Sequence, residues 1–402
     1  MIRHCLDNGL TLLIDPSGTE DVAAAYLWIH VGSRDEPTGL EGAAHFLEHM
    51  LFKGTRSYAV GQVASTVEGW GGDINAWTSF EETCFHISIP GENLERGLGL
   101  LAEMLREAVL DPEELEKERL VILEEIRGCK EDPDLVLGEA TYAKVYGKHP
   151  YARPIIGSVA SVRGISQPAL KDFYQRHYQP SNATLAIAGK VEEEALLRLV
   201  TGLFGGGPAR PPRPSFAVEP ATGTKLLRRR FEGMRIETVF PGPGHGHPDV
   251  PALETLAMAF GGSTSSPLEA RLRLRDSLCM SASAHYEAEV DSGLFTLYLH
   301  PRDGRSQDAL AAMEEELQRL REGGIARGHL DRAKAQLLAQ RSFARETSEG
   351  RAQEMVFHQA TQGDAEAWRT YDAAIAALSQ AQIQAVIDRY LRPEKAARIA
   401  LG

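Results

Sequence analysis

Two histidines and a glutamate fall within five residues, His45-Phe46-Leu47-Glu48-His49. On a helix, residues four apart share a face, so the two imidazoles can grip one ion together. Glu48 follows His45 by three residues and precedes His49 by one, so it borders that face. Neutral imidazoles suit Zn²⁺, and a catalytic zinc keeps one position open for water. A carboxylate beside that water can take its proton during peptide hydrolysis. The order is the reverse of the H-E-x-x-H zinc motif. A solvated helix face that binds nothing fits the same five residues, because short motifs recur by chance. The flanks favour a site. Gly39, Gly42, Ala43 and Ala44 precede the motif, and Met50, Leu51 and Phe52 follow it, so the helix carries its histidines into an apolar setting.

Catalytic zinc usually takes three protein ligands. The richest source of a third is the acidic segment from Asp111 to Ile126. Pro112 suits a first helical turn, and acids there complement the helix dipole. Glu118 and Glu125 stand seven apart, close to two turns, so they share a face. One carboxylate can reach a metal while the other orients a metal ligand. On spacing alone, a charged surface helix is the simpler explanation.

The elements that must carry these residues are mixed. Strands are expected at Leu10–Ile14, Ala23–Val31, Cys84–Ile89, Leu185–Ala188, Ser281–Tyr286 and Gly293–His300. Helices are expected at Val60–Glu68, Asn93–Ala108, Gln307–Glu322 and His329–Ala344. The pattern suits an α+β sandwich with helices on one face of a largely antiparallel sheet. The chain also repeats itself. Ser166–Gly189 and Ser379–Gly402 align without gaps, sharing Ser, Gln, Arg, Pro, Ala and Gly at 166/379, 167/380, 176/389, 180/393, 183/396 and 189/402. Both segments read as an amphipathic helix, a proline-marked turn and an apolar strand. So long a period fits two copies of one domain rather than a solenoid. The expected division is a metal-binding domain over 1–204, a Gly/Pro-rich linker over 205–219 and a second copy over 220–402. The 213-residue offset carries His45 to Met258, so the second copy holds no ligand there and is left to hold substrate.

Composition narrows the class. At 402 residues with 43% hydrophobic content, the chain can build more than one core. A net charge of −13 argues against nucleic acid or an anionic membrane as partner. The apolar run Val22–Val31 is too short to span a bilayer. The segment Met1–Asp7 lacks the pattern of a secretory leader, so the chain reads as cytoplasmic, although a periplasmic protein with its leader removed would look the same. Cys5, Cys84, Cys129 and Cys279 form no C-x-x-C pair, and reduced, mostly buried thiols are expected.

His45-Phe46-Leu47-Glu48-His49-Met50, followed by Phe52-Lys53-Gly54-Thr55, resembles the pitrilysin (insulinase) family of zinc peptidases, the inverzincins. The likeness is strongest to its short bacterial members and to the mitochondrial processing peptidase. In that family the third ligand is a Glu at the spacing that separates Glu125 from His49, 76 residues. An acidic residue seven positions before the ligand belongs to the pattern, and here it is Glu118. Glu124 competes as ligand, but seven positions before it stands Lys117. The resemblance therefore implies one Zn²⁺ per chain on His45, His49 and Glu125, with Glu48 as general base and Glu118 in support. Gly71–Thr78, followed by Glu82-Thr83, resembles the family's edge strand beside the metal, which pairs with substrate backbone. Asn75 and Ala76 are the implied substrate-binding residues. The implied fold is two homologous domains facing each other like a clamshell.

One position departs from the family. Arg273 fits an Arg that holds substrate, but seven residues on stands Met280 where a Tyr is expected. A thioether cannot donate the hydrogen bond of a phenol. Tyr286 shares the face of Met280 in a strand but lies about 20 Å further along. The chain thus resembles the metal-bearing half of a peptidase pair whose second, homologous subunit carries the Arg/Tyr pair. A homodimer or a self-sufficient monomer is the alternative. In function, a zinc endopeptidase is expected, with a non-catalytic scaffold subunit as the alternative.

Overall fold

The computed structural model describes residues 1–208, 213, 216–228 and 231–402. Of the linker expected over 205–219, residues 209–212 and 214–215 lie outside the described residues. Among the described residues, no helix is long and apolar enough to cross a membrane.

The first compact unit is built on six strands: β1 Ile2–Cys5, β2 Thr11–Asp15, β3 Val22–Ile29, β4 Asp73–Thr78, β5 Thr83–Pro90 and β6 Ala183–Ala188. They lie in the order β1-β2-β6-β3-β5-β4. β6 runs parallel to β2, and every other pairing is antiparallel. β3 is apolar almost throughout and buried from Ala23 to Ile29, so it must be covered on both faces. One face, with Leu27, Phe85, Leu185 and Ile187, meets residues of the helices Ala43–Leu51, Leu94–Glu107, Gln167–His177 and Glu193–Phe204. The other face carries Leu13, Ala24, Tyr26, Trp28, Cys84, Ala186 and Ala188. It packs on Ala352, Met355 and Val356 of the helix Ser348–Gln362.

The second unit has five strands: β7 Gly223–Leu227, β8 Arg235–Gly242, β9 Cys279–Ala288, β10 Gly293–Pro301 and β11 Ala397–Leu401. Their order is β7-β11-β8-β10-β9, with β11 parallel to β7 and antiparallel to β8. This repeats β2-β6-β3-β5-β4 strand for strand. The repeat extends to side chains. Ser166 and Ser379 cap the helices Gln167–His177 and Gln380–Tyr390. Gln167 donates to the Leu110 carbonyl at 3.1 Å, and Gln380 to the Ile325 carbonyl at 2.9 Å. The helix Pro133–Tyr146 packs on β8 and β11, as Ser348–Gln362 packs on β3 and β6.

Each sheet therefore takes a covering helix from the other half of the sequence. The compact units are Met1–Gly128 with Arg153–Ser215 and Phe343–Trp368, and Cys129–Ala152 with Phe216–Ser342 and Arg369–Gly402. The division at 1–204 and 220–402 does not follow these units. The physical reason is that the first sheet is apolar on both faces, while residues 1–204 supply helices for only one of them. The fold is α+β, two units of one topology.

Candidate metal centre

The helix Ala43–Leu51 buries Ala43, Ala44, Phe46, Leu47, Met50 and Leu51. That is an i, i+3, i+4, i+7 pattern, and it leaves His45, Glu48 and His49 together on the remaining, half-buried face. The helix start is fixed from outside. Gly42, at a left-handed φ of 95°, precedes the first turn. The buried carboxylate of Glu36 accepts the Gly42 and Ala44 N–H groups, each at 2.8 Å. A carboxylate suits the positive end of a helix dipole.

The acidic helix Pro112–Glu131 faces this site. Glu118 is buried, and its Oε1 lies 2.9 Å from Nδ1 of His49 while its Oε2 lies 2.7 Å from Nζ of Lys53. Two turns on, Oε2 of Glu125 lies 3.8 Å from Nε2 of His45 and 3.5 Å from Nε2 of His49. The imidazole rings are 4.6 Å apart between centroids. Among the described residues, His45, His49 and Glu125 are the group whose ligand atoms converge, all within 4.8 Å. Glu124 instead turns to Arg127 on the exposed side of the helix.

The three residues fit a zinc ion. Two atoms each about 2.1 Å from one tetrahedral zinc would lie about 3.4 Å apart, close to the spacings seen. Two imidazoles and a carboxylate form a borderline donor set of the kind zinc takes. Burial, aided by neighbouring His49, pulls His45 down to about 4, so its ring is neutral and free to ligate near neutrality. Its Nδ1 is buried without a hydrogen-bond partner among the described residues.

Glu48 stands beside the three. Burial pushes its carboxyl above the usual range, and the Thr78 hydroxyl, donating to Oε2 at 2.6 Å, opposes that rise. Thr78 ends β4, the outer strand of the first sheet, which pairs with β5 only. Ile74 and Ala76 pack toward the helices on the metal side. The Oδ1 of Asn75 accepts the Ala76 N–H at 2.8 Å, so that donor is taken locally rather than by β5.

In the second unit, Arg273 lies on a wide-turn helix, Ala270–Arg275, and its Nε pairs with Glu269. Met280 is exposed on β9. Tyr286 donates its hydroxyl to the Pro243 carbonyl. It lies against Gly242 and Gly293, where an added Cβ would come within 2.6 and 2.4 Å of the phenol oxygen. It is a packed residue whose hydroxyl is already engaged. Met258 lies on the helix Val250–Gly261, which packs on β9 as the motif helix packs on β4.

Sequence reasoning missed Glu36, Lys53 and the Thr78 hydroxyl. Of these only Lys53 left a signal, since it follows His49 by four residues.

The family model described as insulinase (peptidase family M16) matches residues 12–159, and the model described as peptidase M16 inactive domain matches 164–337. A Mycobacterium leprae protein named an uncharacterized zinc protease is 32% identical over 83% of this chain and 77% of its own length. A Bacillus subtilis protein of the same description is 29% identical over 83% of this chain and 82% of its own. Among solved structures, a protease from Helicobacter pylori superposes with a TM-score of 0.93 at 25% identity, covering 100% of this chain and 99% of that one. A Pseudomonas fluorescens peptidase M16 inactive domain shares the fold, with a TM-score of 0.92 at 19% identity over 100% of this chain and 97% of that one.

Proposed function

We propose that this chain, which belongs to the insulinase (M16) peptidase family, is a zinc-dependent endopeptidase acting on peptides or unfolded segments. The observation that carries this reading is the convergence of His45, His49 and Glu125, with Glu48 beside them. A Zn²⁺ held by those three residues would supply Lewis-acid activation of a water for attack on a peptide carbonyl. Glu48 takes the proton of that water and later passes it to the leaving amine. Glu118 holds the His49 ring so that Nε2 faces Glu125. An extended peptide pairs with the open edge of β4, main-chain bonds giving affinity and side-chain pockets selectivity. Extended backbone pairs this way, which favours peptides and unfolded segments as substrates. Asn75 must release the Ala76 N–H for a substrate carbonyl to reach it.

With Met280 in place of a phenol, this reading makes the chain the metal-bearing subunit of a two-subunit peptidase. The partner is a homologue with the Arg/Tyr pair, and a homodimer using Arg273 is the alternative. A non-catalytic subunit is the second reading, favoured by Met280 alone.

The test measures zinc per chain and cleavage of a peptide panel, for the chain alone and with the product of its genomic neighbour. The proposal expects one zinc, lost in Glu125→Gln and kept in Glu124→Gln, and cleavage that stops when zinc is removed. Cleavage that survives loss of zinc would overturn it. One zinc without cleavage in any combination would favour the non-catalytic subunit.

A further inference from the structure

The turn that follows β4 is clamped from several sides. Ser79 N–H donates to the Glu82 carbonyl at 2.8 Å, and the Ser79 hydroxyl accepts the Glu81 N–H at 3.0 Å. The segment after β3 binds the same turn, Ser33 N–H donating to the Ser79 carbonyl at 3.0 Å and Arg34 N–H to the Phe80 carbonyl at 3.1 Å. The approach is so close that a Cβ on Gly32 would lie 2.5 Å from the Phe80 carbonyl oxygen. Ion pairs add to the clamp, the buried Arg34 with Glu81 at 2.8 Å and the half-buried Arg213 with Glu81 at 2.9 Å. The Trp77 indole N–H donates to Glu82 at 3.2 Å. Thr78 sits between Trp77 and Ser79, so its backbone is fixed on both sides.

A threonine is stiff about χ1, because two heavy atoms on Cβ restrict its rotamers. A fixed backbone and a stiff side chain together place the Thr78 hydroxyl. An ionised carboxylate can only accept, so the hydroxyl donates, and 2.6 Å lies in the short range of charge-assisted O–H···O bonds. This bond engages Oε2 of Glu48 and leaves Oε1 for other work.

We infer that Thr78 is a positioning residue: its hydroxyl holds Glu48 by Oε2 and presents Oε1 as the oxygen that receives the proton. The same strand that would pair with a peptide thereby also aims the base. The inference rests on the peptidase reading for its catalytic consequence, but not for its geometry.

Thr78→Val keeps the shape of the side chain and removes the donor, and Thr78→Ser keeps the donor. Crystal structures of the zinc-loaded wild type and both variants, with zinc content and steady-state kinetics, test the assignment. In Thr78→Val, zinc content and KM stay as in wild type, the Glu48 carboxylate leaves its place, and kcat falls about 10- to 100-fold, the usual cost of misplacing a reacting group. In Thr78→Ser, which keeps the donor but loses the χ1 restraint, the carboxylate returns and kcat recovers in large part. A Glu48 carboxylate that stays in place in Thr78→Val overturns the inference. A kcat loss that serine fails to rescue overturns it as well. If the zinc-loaded wild type cleaves nothing, the peptidase reading fails, and the place of Glu48 in Thr78→Val still decides the positioning role.

Discussion

The carboxylate of Glu118 sits 2.9 Å from Nδ1 of His49, so one ring nitrogen is committed and Nε2 alone faces Glu125. The partner of that carboxylate matters, because Lys53 reaches its other oxygen at 2.7 Å. In Glu118→Gln, Lys53 would claim the amide oxygen and turn the NH₂ group toward His49. The imidazole would then have to accept at Nδ1 and carry its proton on Nε2, the wrong tautomer for a ligand. The expected outcome is a loss of about 10- to 100-fold in zinc affinity, the range found when such supporting groups are removed. Chelator competition measures it, and unchanged affinity would show that Glu118 does not set the tautomer.

Glu48 lies beside the three converging atoms without being one of them. Glu48→Gln should therefore keep its zinc and lose about 10²- to 10⁴-fold in turnover, the usual contribution of a positioned base. Metal analysis and peptide cleavage on the same preparation check both halves. Turnover near wild type would remove Glu48 from the role of base.

Burial pushes Glu82 up to about 7, although Ser79 and Trp77 both donate to it, while Glu81 adds to the rise and Arg213 opposes it. The folded protein then holds this proton over a range where the unfolded chain, at the ordinary 4.5, has released it. With more protons bound in the folded state, stability falls as pH rises from about 4.5 to about 7 and levels off above. Glu82→Gln should flatten that part of the curve. Thermal melts of both proteins between about pH 4.5 and 8 test the sign. A wild-type Tm that rises relative to the variant over this range would contradict it.

Met280 is 51% exposed on β9, and the Tyr286 hydroxyl is already given to Pro243. The purified chain should hold zinc yet cleave poorly, and a homologous subunit with the Arg/Tyr pair should restore turnover. Tyr286→Phe should leave that turnover unchanged. If the chain alone is fully active and Met280→Tyr changes nothing, the partner is unnecessary.

Much of the site could be read in advance. Apolar residues at 43, 46, 47 and 50 predict which face of the motif helix is buried, and that leaves His45, Glu48 and His49 together. The internal repeat was visible because Ser and Pro at 166/379 and 180/393 do local work as caps and turns, while Gln at 167/380 anchors each helix to an equivalent distant carbonyl. The bond from Thr78 to Glu48 spans 30 residues, and that from Glu118 to His49 spans 69. No local pattern announces either one, although family spacing pointed to Glu118. The exchange of covering helices was hidden for a related reason. Periodicity reveals that a helix such as Ser348–Gln362 has a face to bury, but not which sheet will receive it.

That exchange bears on what a protease could do to this molecule. A cut between Gly205 and Phe216 severs the only covalent link between the two halves of the sequence. It would not yield two independent proteins. The first fragment needs Ala352, Met355 and Val356 from the second to cover Tyr26 and Trp28. The second needs the helix Pro133–Tyr146 from the first to cover β8 and β11. A nicked chain should show two bands under denaturing electrophoresis and one species by native gel filtration. The two halves are held to each other as a subunit pair would be, by buried apolar faces rather than by the peptide bond between them.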